Sequence, residues 1–220
     1  MRLQNHIEQV INTLGPYTAN LKTALDPLVA LRNGDPFRAL ISTILTAQTK
    51  DQVSAPVSKN LFDTIGDKPI DFVNITQEEL EELIFRVSYY KTKAKHIILT
   101  AKIIHETHND VVPHTYDELI QLPGVGPKTA NLLLGEVFHI PAICVDIHVH
   151  RISNRLGIIQ TNTREKSLKS LEKVLPIKYW IQYNNILVKM GQTICKPVSP
   201  FCSTCPAKEF CPKIGVTSRR

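Results

Sequence analysis

Lys128 opens an apolar helix directly behind a Gly-x-Gly turn, in the stretch Leu122-Pro-Gly-Val-Gly-Pro-Lys-Thr-Ala130. The glycines admit left-handed backbone and remove side chains from the turn. Pro127 suits the first helical position, where a missing N–H is no loss. Asn131, Leu132, Leu133, Leu134, Val137 and Phe138 continue as a mostly buried helix. The backbone N–H groups of Gly124, Val125 and Gly126 then stand free beside a helix N-terminus, an arrangement that holds an anion such as a phosphate. A cation in the first turn opposes the helix dipole, so capping does not explain Lys128. Dipole ends and an apolar wall make an amine easier to deprotonate, and a neutral amine is a nucleophile. The alternative, on these residues alone, is a surface lysine touching phosphate.

A second stretch follows, Val145-Asp-Ile-His-Val-His-Arg151. Asp146 reads as the N-cap of a helix running from Ile147 to Arg155 and ending near Gly157. It also follows Lys128 by one helix and a short turn, so its carboxylate could face the amine. His148, His150 and Arg151 share this helix start. They could bind phosphate or a metal, but no further His or Glu lies at matching spacing. The simpler reading is that His148 supports Asp146 and Arg151 holds structure or phosphate.

The C-terminal region carries the sharpest spacing. Cys195, Cys202, Cys205 and Cys211 form C-x6-C-x2-C-x5-C, among several prolines. In a reducing compartment this pattern reads as metal ligation rather than disulfides. Four thiolates suit tetrahedral zinc or an iron–sulfur cluster, and spacing chemistry alone does not separate them. Cys144, in an apolar run, reads as a small buried residue.

Two further stretches are polar where helices meet. Leu45-Thr-Ala-Gln-Thr-Lys-Asp51 ends an apolar stripe and reads as a solvated turn. Ser88-Tyr-Tyr-Lys-Thr-Lys-Ala94 is a basic, aromatic connection. Lys91, Lys93 and Lys95 could neutralise phosphates there, and Tyr89 and Tyr90 could pack or stack.

The elements that must position these residues are helical. Val10, Ile11 and Leu14 share a helix face with His6, and Phe37, Leu40, Ile41, Ile44 and Leu45 recur at helical spacing after Asp35-Pro36. Thr76 with Glu79, and Thr115 with Glu118, form capping-box patterns. Ala94, Ile97, Ile98, Ala101 and Ile104 make another stripe. Leu168, Leu171, Val174 and Leu175 stop at Pro176. A last helix spans roughly 177 to 190, with Gly191 expected to end it. No alternating strand pattern stands out, so the fold class is all-α. The chain has 220 residues, 43% of them hydrophobic and 21% charged, with a net charge of +6. This is the composition of an ordinary globular protein whose charge favours a polyanionic partner. The N-terminus has no signal-peptide core, and no apolar run reaches membrane-spanning length. The expected location is the cytoplasm, in association with the nucleoid.

LPGVGPKTA followed by VDIHVHR resembles the helix–hairpin–helix DNA glycosylases, and among them the endonuclease III family. One departure is Ile147, where that family often has threonine. The resemblance covers nearly the whole chain. It implies two helical domains: a six-helix barrel over residues 29 to 140, with the helix–hairpin–helix at about 115 to 138, and an iron–sulfur domain from 1 to 28 and 141 to 220. A DNA cleft between them is part of that layout. It implies Lys128 and Asp146 as the catalytic pair and the four C-terminal cysteines as ligands of a [4Fe-4S] cluster. Gln48 is implied to enter the gap left by a flipped base, with Tyr90, Lys91, Lys93, the hairpin residues Gly124, Val125 and Gly126, and His148 and Arg151 near DNA. The implied partner is double-stranded DNA carrying damaged bases or abasic sites, met by a monomer. The implied activity is bifunctional: removal of oxidised pyrimidines, then strand cleavage by β-elimination through a lysine Schiff base. Alternatives are a mismatch glycosylase, an oxidised-purine glycosylase, or a non-enzymatic hairpin module. Mismatch relatives usually carry serine or tyrosine in place of Lys128, and oxidised-purine enzymes generally lack the cysteine loop. A binding module needs neither Lys128 nor Asp146.

Overall fold

The computed structural model describes residues 2–220 and is all-helical, with no strand among the described residues. The helices in chain order are α1 (Arg2–Ala19), α2 (Asp26–Arg32), α3 (Pro36–Thr46), α4 (Asp51–Ile65), α5 (Pro69–Val73) and α6 (Gln77–Ile84). They continue as α7 (Tyr90–His108), α8 (Tyr116–Leu119), α9 (Pro127–Glu136), α10 (Ile147–Arg155), α11 (Arg164–Val174) and α12 (Trp180–Thr193), the last preceded by a 3-10 turn at Ile177–Tyr179. Two compact units result. One is Ala24–His139; the other joins the chain up to Thr23 with Ile140–Arg220. These limits differ from 28/29 and 140/141 because α2 packs on α3 and α4, which takes residues 24–28 into the first unit.

The helix starts follow the local chemistry. Asp35 accepts the Arg38 N–H at 2.7 Å, with Pro36 in the first turn of α3. Thr76 and Glu79 cap α6 reciprocally: the Thr76 N–H donates to Glu79 at 2.9 Å and the Glu79 N–H to the Thr76 hydroxyl at 3.3 Å. Thr115 and Thr163 cap α8 and α11 in one direction only, their hydroxyls accepting the N–H of Glu118 at 3.3 Å and of Lys166 at 3.2 Å. Each such cap is worth about 1 kcal/mol.

In the Ala24–His139 unit, Leu40, Ile41, Ile44, Leu61, Phe72, Leu80, Ile84 and Ile97 are sealed from solvent. Each buried side chain of this size contributes about 1.5–3 kcal/mol. Helix α9, which carries Lys128, packs on α3 and α8. It is also tied to α2 by a buried ion pair, Arg32 Nη1 to Glu136 Oε2 at 2.8 Å, while Arg32 Nε donates to the Ser42 hydroxyl on α3. In the other unit α12 packs on α1 and α10, around Val10, Leu14, Val149, Ile152, Tyr183 and Leu187. Gly191 does not end this helix. It lies inside α12 because a Cβ there would stand 2.1 Å from His148 Nδ1.

Lys93 is the main surprise of the fold. Expected at the surface, it is only 6% exposed. It falls on the buried stripe of α7 with Ala94, Ile97, Ala101 and Ile104. Its ammonium reaches the open end of α3, donating to Leu45 O at 2.7 Å, Ala47 O at 2.7 Å and the Thr49 hydroxyl at 3.1 Å. All three ammonium protons are accounted for, so the expectation of a phosphate contact is corrected.

Burial pushes the Lys93 ammonium down to about 8 from its ordinary 10.5. Between those values the unfolded chain holds the extra proton, so this group makes stability rise with pH across that window. Below pH 8 both states are charged and the burial penalty is fully present. The unfolding free energy of wild type minus that of Lys93→Met should therefore increase from pH 8 to pH 10. Urea denaturation at both pH values checks this, and a difference that does not change contradicts it.

Candidate active site

The hairpin around Lys128 is built by three features of its own unit. Gly124 has φ of +81°, in the left-handed region that favours glycine, and a Cβ on it would stand 3.2 Å from His96 on α7. Both constraints require glycine there. The Thr100 hydroxyl on α7 donates to Pro123 O at 2.9 Å, which fixes the turn against that helix. Gly126 is the N-cap of α9 and has open space where a Cβ would be. With no side chain, it gives the first turn of α9 no side-chain cap.

Of the three hairpin amides, the Val125 N–H is not open: it donates to Leu122 O at 3.0 Å, and the Val125 side chain is buried. The hairpin amides that remain candidates for holding an anion are therefore those of Gly124, Gly126 and the start of α9. Lys128 follows in that first turn and is exposed. Glu136 lies at the far end of the same helix. There burial raises the carboxyl, while Arg32 and then Lys128 act to lower it.

Asp146 starts α10 in the other unit. Its Oδ1 accepts the N–H of His148 at 2.9 Å and of Val149 at 2.8 Å. Both bonds fall on one oxygen and lock the carboxylate's orientation. His148 supports Asp146 through its backbone N–H, and its imidazole also reaches its own helix. Its Nδ1 lies 3.1 Å from Arg151 Nη2, beside Gly191. Arg151 Nη2 also donates to Cys195 O at 3.0 Å. Arg151 thus ties the Asp146 helix to the cysteine loop, the structural one of the two roles expected of it. The Asn184 amide donates to Cys144 O at 3.0 Å, which fixes the strand-like approach to Asp146 from α12.

Cys195, Cys202, Cys205 and Cys211 line a single cavity of about 30 Å³, walled by Ile194, Phe201 and Arg155. Arg155 donates to Cys195 Sγ at 3.3 Å, Lys196 O at 2.6 Å and Pro197 O at 2.7 Å, an anchor the sequence reading missed. Burial pushes the Cys205 thiol up to about 11 and raises that of Cys211 as well. Among the described residues, no three Cys, His, Asp or Glu side chains converge on a single-ion position. The four thiols surround a volume instead of a point.

The two polar connections sit at the surface of the Ala24–His139 unit. Gln48 is exposed and left-handed, with φ of +54°. Tyr89 is 67% exposed and left-handed, with φ of +57°. Tyr90 and Lys91 share a hollow with Glu78, Glu81 and Glu82 of α6, whose charge opposes a phosphate. Tyr89 is therefore the tyrosine that offers a ring outward, where the sequence reading chose Tyr90.

Residues 41–176 match the model of the HhH-GPD superfamily of base excision DNA repair proteins. Endonuclease III of Thermotoga maritima is 42% identical over 177 residues, covering 80% of this chain and 83% of that protein. A solved non-covalent endonuclease III–DNA complex superposes with a TM-score of 0.84 at 32% identity, covering 96% of this chain and 95% of the other. A trapped endonuclease III–DNA covalent intermediate superposes with the same TM-score and identity, covering 96% of each chain. With its uncapped hairpin ahead of Lys128, its carboxylate at the start of α10 and its four-thiol cavity, the chain belongs to the endonuclease III family of the HhH-GPD superfamily.

Proposed function

We propose that Lys128 is the amine nucleophile of this chain and Asp146 the carboxylate that assists it. The activity is that of the family: a bifunctional DNA glycosylase and abasic-site lyase of base excision repair. The observation that carries the assignment is an exposed lysine in the first turn of α9, directly behind a helix start that leaves its amides open. Those amides suit a backbone phosphate, which sets a flanking nucleotide beside the amine. The covalent endonuclease III–DNA intermediate supports a covalent route for the family.

The substrate is duplex DNA holding an oxidised pyrimidine or an abasic site. The damaged nucleotide is turned out of the stack, because its sugar is otherwise out of reach. Neutral Lys128 attacks C1′, and the base departs with the electron pair of the glycosidic bond and takes up a proton. Asp146 offers Oδ2, which accepts no bond among the described residues, to the amine's proton or to the positive charge developing on the sugar. The aminal opens to a Schiff base, which acidifies the C2′ hydrogen. Loss of that proton expels the 3′ phosphate oxygen. Water then releases the lysine, leaving a 3′ unsaturated aldehyde and a 5′ phosphate. Gln48 fills the hole in the stack, and Tyr89 offers a face to a neighbouring base.

The four cysteines fit a [4Fe-4S] cluster better than zinc. A zinc ion draws four sulfurs to about 2.3 Å of one point, whereas these thiols surround a cavity. Cluster ligation also supplies the thiolate form that burial opposes. In this reading the cluster stiffens the loop that Arg151 and Arg155 anchor, and no step of the reaction runs through it.

Wild type should nick a duplex bearing one oxidised pyrimidine without alkali. Lys128→Ala should lower that cleavage by at least about a thousandfold, with duplex affinity changed less than about threefold. Gel analysis of end products beside a binding titration checks both, and a parallel loss of affinity would make Lys128 a phosphate contact. Purified wild type should carry iron and sulfide in equal amounts with a broad visible absorbance, and Cys202→Ser should lose both. A colourless, iron-free, active wild type contradicts the cluster.

A further inference from the structure

We propose that Lys93 is a positioning residue that sets the two exposed tips, Gln48 and Tyr89, through the backbone of the turn between α3 and α4. Gln48 and Tyr89 both hold left-handed backbone without being glycine. That conformation costs roughly 1–2 kcal/mol for an L-residue, and it persists only where the surroundings over-determine it. Neither tip is buried, so its own contacts do not hold it.

The restraint comes from beneath. The last turn of a helix leaves carbonyls without intrahelical partners. Those of Leu45 and Ala47 point to one ammonium, 2.7 Å away in both cases. The third proton of that ammonium goes to the Thr49 hydroxyl at 3.1 Å, immediately after Gln48. Ala47 and Thr49 flank Gln48, so the residue between them has little freedom. Thr49 then carries the restraint across: its hydroxyl also accepts the Ser88 N–H at 3.1 Å, one residue before Tyr89. A single cation on the buried face of α7 thereby joins two loops 40 residues apart in sequence. Lys91 and Lys95 are exposed and out of phase with the buried stripe, so neither substitutes.

The consequence for activity rests on the reading of Gln48 as the residue that fills the stack; the consequence for the loops does not. The test uses the intact protein with Lys93→Met, Thr49→Val and Gln48→Ala. Hydrogen exchange by mass spectrometry should show segments 45–50 and 86–92 opening about tenfold faster or more in Lys93→Met, as expected for lost bonds to a charged donor. Exchange in α9 should be unchanged. Thr49→Val removes one acceptor and suits the case where Lys93→Met folds poorly. It should loosen segment 86–92, with a smaller effect on 45–50. On a duplex with one oxidised pyrimidine, Lys93→Met should lose about tenfold or more in kcat/KM. Cleavage of an abasic site in single-stranded DNA, where no stack needs filling, should stay within about twofold. Combining Lys93→Met with Gln48→Ala should cost little beyond Gln48→Ala alone. Unchanged exchange in both loop segments overturns the proposal. Multiplicative losses in the double variant overturn the route through Gln48. Faster exchange with a fully active Gln48→Ala upholds Lys93 as the restraint and removes the stack-filling role of Gln48.

Discussion

Helix α9 begins without a side-chain cap, and this open start is the constraint on which the site depends. Gly126 stands where Ser, Thr or Asp would ordinarily satisfy a first-turn amide. The stability given up is of the order of 1 kcal/mol. In return, the helix presents amides and a positive dipole end to an anion. The fold compensates around the gap. Gly124 is locked against His96, Pro123 is held by Thr100, and the other end of α9 is pinned by the Arg32–Glu136 pair. In the proposed mechanism, a phosphate docked there sets the sugar beside the neighbouring side chain, Lys128.

Asp146 solves the same problem at the start of α10 in the opposite way. Its carboxylate is itself the cap, and both amide bonds fall on Oδ1. One group therefore serves stability and leaves an oxygen for chemistry. Arg151 links this helix start to Cys195, so the order of the cysteine loop and the orientation of the carboxylate share a support. Charge in this protein thus acts in two settings. One is the surface, as with Lys128. Buried charge holds backbone, as with Lys93 and Arg155, whose donors go to carbonyls, a hydroxyl and a thiol.

Much of this was legible in the sequence. Gly-x-Gly-Pro-Lys announced a turn and a helix start, Thr76 with Glu79 announced a capping box, and the cysteine spacing announced a shared site. These signals are local, and local chemistry decides them. Lys93 was misread because a lysine between two others in a polar connection looks solvated. Its phase with Ile97, Ala101 and Ile104 was the available signal, and it was outweighed by residue type. Gly191 was misread as a helix end because the close approach of His148 and Arg151 is a tertiary fact. Helix α4 gave no stripe because Ser54 and Ser58 occupy its buried face beside Ala55 and Val57. The His148 N–H donates to Asp146 while its ring lies against Arg151, a division of roles that spacing does not decide.

The central claim is that the residue behind the open helix start becomes covalently attached to the sugar. Borohydride reduction during turnover on a duplex with a single thymine glycol, followed by digestion and mass spectrometry of the adduct, reads this directly. The account predicts one sugar-modified peptide, with the modification on Lys128. An adduct on another amine would contradict it, as would base release that leaves no adduct.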